Sequence, residues 1–489
     1  MRISRKRALA VVAAMLSLAA SSDAHAALRI SKKPTQNVSC VSGMCVATAR
    51  SAVLNAGDLA SMLAGGDVTV SSAAVAKDID VAASLSWVSS GRLTLDSYRS
   101  ITFSKVVDVA GDGALTMTTD DGGNNGDLYF AGKGRVDFRD MTSSLIINGN
   151  SYELIRNIHD LAVLGDSEPY LAFARDSQAG HRTYSSAPVD SLDATVEGLG
   201  HTISGLKISV PAENDDPIGL VGTYTVTSRD TALRDLKLVD VNVQGGEAGQ
   251  EIGALVGEND ATLIGVSVTG QVENTSTNAI VGGLVGRNLG RIINSSASAT
   301  VTVGPSSAAG GLAGVNLGDC PPSCIAIISQ SYSDGSVTGG DSAFVGNLVG
   351  RNEGGWVLDC YSEGNATGGS GATVGGLMGT NEDNGTILPR LKRSYATTVV
   401  SAGSGSTLGG LLGQDIAQTR AMDTYWDLDT SDVSDPSQGA GNVPNDPGIT
   451  GLTSVQLQSG LPAGFDASVW AQSPTINGGF PYLADNPPQ

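Results

Sequence analysis

From Val281 the chain reads VGGLVGRNLGRIINSSASATVTVG, and from Val345 it reads VGNLVGRNEGGWVLDCYSEGNATGG. Apolar and polar positions alternate within these stretches, as along Ala297, Ala299 and Val301, and do not recur at helical spacing. A period of two bounded by Gly and Ser predicts short β-strands.

The phrase repeats. Leu220, Leu255, Leu284, Leu312, Leu348, Leu377 and Leu411 occupy the same place in seven copies, at steps of 35, 29, 28, 36, 29 and 34 residues. Two residues after each stands a glycine, and four after stand Asn259, Asn288, Asn316, Asn352, Asn381 and finally Asp415; the first copy departs with Tyr224. In the regular copies an apolar residue follows nine after the Leu (Ile264, Ile293, Val357) and a small or aromatic one thirteen after (Val268, Ala297, Tyr361). Tyr332 and Tyr395 arrive seven and five residues late, which accounts for the two long steps after Leu312 and Leu377. The period is therefore about 29 residues, with DCPPSC and NGTILPR as inserted loops.

Three short strands fit into one such unit, each closed by a Gly or Asn turn. That makes the fold all-β, a right-handed parallel β-helix in which stacked units share a core that no single unit can bury. Asn tolerates left-handed turns and hydrogen-bonds through its side chain. Asn259, Asn288, Asn316, Asn352 and Asn381 are expected to stack as a structural ladder at one corner. The Gly pairs before Leu284, Leu312 and Leu377 are expected to let coils pack closely.

Upstream, Leu93 and Leu95, Ile101 and Phe103, Leu115 and Met117, Leu128 and Phe130, Val136 and Phe138, and Leu145 and Ile147 form further paired alternations. Ile155, Ile158, Leu161 and Leu164 have helical spacing and predict one short helix on the solenoid's side. The expected organisation is a 1–26 signal peptide, a 27–80 N-terminal cap, 81–150 β-helix coils, a 151–208 helix-containing transition, a 209–415 repeat β-helix and a 416–489 C-terminal cap. Trp426 and Trp470 are expected to help close the ends.

The first 26 residues combine a basic start (Arg2, Arg5, Lys6, Arg7), an apolar run from Ala8 to Ala20 and a small-x-small exit at Ala24–Ala26. This pattern predicts a cleaved signal peptide and a secreted or cell-surface protein. Sixty-four glycines suit tight turns, and the net charge of −20 repels nucleic acid.

The phrase GGLVG-x-N-x-G-x-I followed by SYS-x-G-x-V-x-G resembles the GLUG motif, a repeat of bacterial surface proteins named from its occurrence in immunoglobulin A metallopeptidases; it covers about residues 218–415. LTLDSYRSITFSKVVDVAGDGALTM and ATVEGLGHTISGLKI resemble the segment that precedes such repeats in filamentous haemagglutinin-like adhesins. TYWDLDTS, GLTSVQLQSG and NGGFPYL are similar to the closing piece of GLUG-containing proteins. The resemblance implies an exported adhesin-like β-helix of Gram-negative bacteria, often with an outer-membrane secretion partner, although the NPNL and NPNG motifs of two-partner secretion are absent.

Five cysteines remain. In an exported chain Cys40 and Cys45 can close a small loop, as can Cys320 and Cys324 within the inserted loop, and Cys360 reads as a buried small hydrophobe. A protease of the resembled kind needs a His-Glu-x-x-His zinc site, and His159, His181 and His201 are not so spaced. No cofactor is expected.

A polysaccharide lyase or hydrolase is the alternative, with carboxylates from Asp120, Asp121 and Asp127 or from Asp427, Asp429 and Asp432. The leading expectation is a non-enzymatic rod that binds an extracellular glycan or a host or bacterial surface. Its expected contact residues are Pro321, Pro322, Arg390, Lys392 and Arg393 in the inserted loops.

Overall fold

The computed structural model describes residues 26–488 apart from 124, 229–230, 319–324 and 418–420. Cys320, Cys324, Pro321 and Pro322 lie outside the described residues. The chain is a parallel β-helix built as two solenoid bodies sharing one 15-stranded sheet, which runs from Val38–Val41 to Arg390–Lys392. At about 4.8 Å per strand this sheet is roughly 70 Å long.

In the first body each coil supplies three strands. Asp78–Val81, Leu85–Trp87 and Arg92–Asp96 are followed in register by Ile101–Phe103, Val106–Val109 and Ala114–Thr118. The alternating pairs of the sequence point inward here: Leu93, Leu95, Ile101, Phe103, Leu115 and Met117 are fully buried. Residues 27–80 are part of this stack and not a separate cap, because Ala27–Ser31 pairs in parallel with both Ser51–Asn55 and Asp78–Val81. Helix α1 (Ala56–Leu63), capped by Asn55, buries Leu59 and Leu63 in that core, and α2 (Ala73–Ala76) follows.

The two bodies meet at a hairpin. Leu145–Ile147 pairs antiparallel with Asn150–Ile155 through Asn148 and Gly149, both at positive φ (49° and 85°). Asn-Gly is the dipeptide that such a two-residue turn favours, since both central residues are left-handed. Reversing the strands while the sheet continues would invert the hand of winding if the core stayed on one face. Here the core moves to the other face, so the hand is kept. Adjacent residues record the switch: Leu154 packs in the first core and Ile155 in the second.

In the second body the repeat unit contributes strands to four sheets rather than forming the expected three strands. One unit comprises Val285–Asn288, Arg291–Ile293, Ser296–Val303 and Ala308–Gly310, each entering a different sheet. The extra bend lies at the Gly pair. A Cβ on Gly283 would stand 2.1 Å from the Gly311 carbonyl oxygen of the next coil, so only glycine permits the turn at this spacing.

Register also differs from the sequence alignment. Between Asn352 and Trp356 the chain has three residues where Asn288 and Arg291 are separated by two. Val357 therefore stacks through Ile328 on Ile292, and Tyr361 through Tyr332 on Ser296. A one-residue slip reverses the face of a strand. Val268 and Ala297 point into the core, whereas Tyr332, Tyr361 and Tyr395 form a separate outer stack with centroids 4.8 and 5.4 Å apart.

The C-terminal region is not a simple end cap. Thr424–Asp427 and Ile449–Leu452 extend the stack, and Trp426 fills the core where Gly410 and Gly439 leave room. The chain then passes through α4 (Ser454–Leu457) and runs back along the tyrosine stack. Leu457, Phe465, Trp470 and Leu483 cover the rings, and the Tyr395 hydroxyl donates to Pro481 O at 2.6 Å. Trp470 therefore seals the flank, not an end. Four α-helices stand among the described residues where the sequence predicted one; the predicted one is α3 (Ile158–Leu164), capped by the Asn157 side chain, with Ile155 left in the preceding strand.

Candidate functional site: a notch between the two bodies

The expected ladder residues occupy one buried column. Asn259, Asn288, Asn316 and Asn352 each donate from Nδ2 to Oδ1 of the next Asn at 2.8, 2.8, 2.8 and 2.9 Å, and Asn381 donates to Asp415 at 3.1 Å. Every amide points its donor toward the later coil, so an acceptor-only carboxylate suits the last rung. At the other end Tyr224 sends its hydroxyl to Ala194 O, and Asn259 Oδ1 has no partner. None of these Asn has positive φ; each is the last or the next-to-last residue of an extended strand. The left-handed corner is another column, with Asp235, Gly265, Asn294, Gln330, Asp359, Arg393 and Asp423 all near φ +50° to +65°.

That corner corrects the expected contact loop. Arg390 and Lys392 lie on a strand stacked on Trp356–Leu358, with the Arg390 guanidinium 4.0 Å from the Trp356 ring centroid. Arg393 follows at the corner, paired with Asp359. All three belong to the stack.

Cys40 and Cys45 are disulfide-bonded across a hairpin, directly opposite one another. Cys360 is buried, and burial pushes its thiol up to about 12.

The two candidate carboxylate groups separate. Asp427 and Asp429 accept from Ser454 at the start of α4, 2.6 and 2.9 Å, and Asp432 is an exposed corner residue at positive φ. Asp120 sits in a left-handed turn and accepts from Gly126 N at 3.0 Å, while a hydrogen bond with Asp96 raises the Asp121 carboxyl. Asp127 goes elsewhere, into contact with residues more than seventy positions away.

Because the core changes faces at the hairpin, the outer face of the second body's sheet abuts the last coil of the first. The step between them is a notch holding two cavities of about 500 and 520 Å³, both lined by Asp127, Leu128 and Ile264. Arg234 donates to Asp127, and its Nε lies 3.8 Å from Glu197 and 3.9 Å from Asp235. Glu197 also accepts from Leu199 N at 3.1 Å. Burial pushes the Glu197 carboxyl up to about 7, and burial with the neighbouring Glu197 charge holds Asp235 well above the usual carboxylate range. Asp127 stays 32 % exposed and Arg234 21 %, whereas Glu197 is 2 % exposed.

One cavity has Tyr152 and Tyr170 in its wall, with ring centroids 5.2 Å apart. The other is closed on one side by the chain's own tail at Asp485–Pro488, which Asn486 ties to the Ser295 and Gln330 carbonyls. Glu197, Arg234 and Asp235 carry no sequence motif. The Asn148-Gly149 hairpin was their one advance signal, since it creates the step.

No curated protein matches this chain. A crystal structure described as that of a putative immunoglobulin A1 protease from Bacteroides ovatus is similar over 68% of this chain and 93% of that one, at 15% identity and a TM-score of 0.45. Residues 277–302 match the family model described as the GLUG motif, and the chain carries that motif in the coil between Asn278 and the Ser296–Val303 strand.

Proposed function

We propose that this is an exported, adhesin-like, non-enzymatic β-helix protein that binds cell-surface or matrix glycans or proteins outside the cell. The observation that carries the reading is the coil stack, in which the GLUG coil is one layer of a shared sheet about 70 Å long and repeated side chains hold one coil to the next. Such a rod supplies reach and surface. The leader-like first 26 residues support export, and the acidic balance suits an extracellular surface that avoids nucleic acid. An outer-membrane secretion partner fits the resemblance to filamentous haemagglutinin-like adhesins.

The test uses the full chain, recovered after export, on immobilised polysaccharides and cell surfaces, with released oligosaccharide assayed in the same wells. Retention without release is the expected result. Release of sugar fragments, abolished by Glu197→Gln, would overturn it in favour of a polysaccharide-degrading enzyme. That second reading has one specific support: Asp127 and Glu197, two carboxyls in unlike surroundings, line the same cavity.

A further inference from the structure

We infer that the notch between the two bodies is the binding site, and that its ligand is a short, neutral, hydroxyl-rich oligosaccharide; this rests on the adhesin reading above and assigns it a place. A solenoid face is ordinarily flat or gently curved. Here the face switch at Asn148–Gly149 makes a concave step, and the joined cavities have the volume of ordinary ligand pockets.

The polar groups in the step suit a sugar. The partly exposed Asp127–Arg234 pair places a carboxylate acceptor beside a guanidinium donor, so a vicinal diol can donate to one and accept from the other. The network behind that pair is not saturated: Arg234 Nε and Asp235 Oδ2 are buried, 3.9 Å apart and without hydrogen-bond partners. These two atoms face each other at ion-pair distance and hold the Arg234 guanidinium in place behind the exposed pair. Tyr152 and Tyr170 add ring surface for the apolar C–H face of a pyranose.

Charge selects among sugars. Asp127, Glu197, Asp235 and Asp485 face Arg234, Lys237 and Arg291 across the two cavities, in a chain of net charge −20. Arg234 is already committed to Asp127 and the chain's net charge opposes a further anion, so a uronic acid would enter against that field. A neutral chain meets no such cost.

The experiment compares wild type, Thr262→Trp and Asp127→Ala on neutral oligosaccharides from β-glucan, mannan and galactan, on alginate and polygalacturonate fragments, and on immobilised cell-surface protein. Thr262 is half-buried, faces the notch from its strand, and makes no side-chain hydrogen bond to the cluster, so the indole blocks the cavity while thermal unfolding confirms the fold. The expected result is wild-type binding of at least one neutral set, weakened about tenfold or more in both variants. Equal binding by Thr262→Trp and wild type would remove the site from the notch and leave the adhesin reading intact. Binding of acidic fragments alone would overturn the charge argument. Retention of cell-surface protein but of no glycan would overturn this inference by itself, and retention of nothing would overturn both.

Discussion

Asn316 is the middle rung of the buried ladder, and its truncation measures what the ladder contributes. It accepts from Asn288 at 2.8 Å and donates to Asn352 at 2.8 Å, with no exposed surface. In Asn316→Ala, Asn288 Nδ2 keeps Gly290 O at 3.2 Å, but Asn352 Oδ1 loses its donor and Asn288 loses its stronger acceptor. A buried polar group left unsatisfied costs about 1–3 kcal/mol, so the two together predict a loss of about 2–5 kcal/mol. Urea unfolding followed by circular dichroism reads the change as a lower midpoint. Asn365→Ala is the internal control, because Asn365 makes an inter-coil bond of 3.2 Å to Ser336 at an exposed position, and its loss is expected below about 0.5 kcal/mol. Equal midpoints for the two variants would refute the assignment of the ladder as a main source of coil-to-coil adhesion.

Tyr361→Ala removes the centre of the outer stack, which also touches Trp470 at 6.1 Å between centroids, and is expected to cost about 3–5 kcal/mol and to expose residues 453–488 to limited proteolysis; an unchanged digestion pattern would contradict the docking role. Burial pushes the Glu363 carboxyl up to about 7, above its ordinary 4.5. A raised acid binds its proton more tightly when folded, so the stabilisation is complete below about pH 4.5 and is lost as pH rises through 7. Glu363→Gln is therefore expected to leave stability near pH 4 unchanged and to raise it at pH 8 by on the order of 1–3 kcal/mol, read from denaturation at both values. In a Cys320→Ser, Cys324→Ser background, Cys360 is expected to resist iodoacetamide until the chain unfolds, since it is buried and its thiol is raised; rapid labelling of the native chain would show that the core opens there.

Much of the solenoid was legible in the sequence because its periodicity is local. The Gly and Asn columns recur at the spacing of one coil, and a residue's position in the repeat names its neighbours one coil away. The ladder from Asn259 to Asn381 was readable on that ground. The outer tyrosines were not: one extra residue before Trp356 reversed the face of the strand, and counting from the preceding Leu placed Tyr361 in the core column. The placement of Arg390 and Lys392 in the inserted loop was missed for a related reason, since they lie where that loop has already rejoined the sheet. The notch was illegible, because Asp127, Glu197 and Arg234 are far apart in the chain and meet only across the step.

The sequence by itself determined the alternation that makes strands, the period that makes coils and the buried amides that lock one coil to the next. Each of these depends on neighbours a fixed number of residues away. Tertiary structure alone decided three things: on which face of the shared sheet each core forms, where the tail after Thr453 returns, and which charges share the notch. The physical reason is that a strand buries whichever face is covered, and what covers it here is another part of the chain whose arrival no local pattern records.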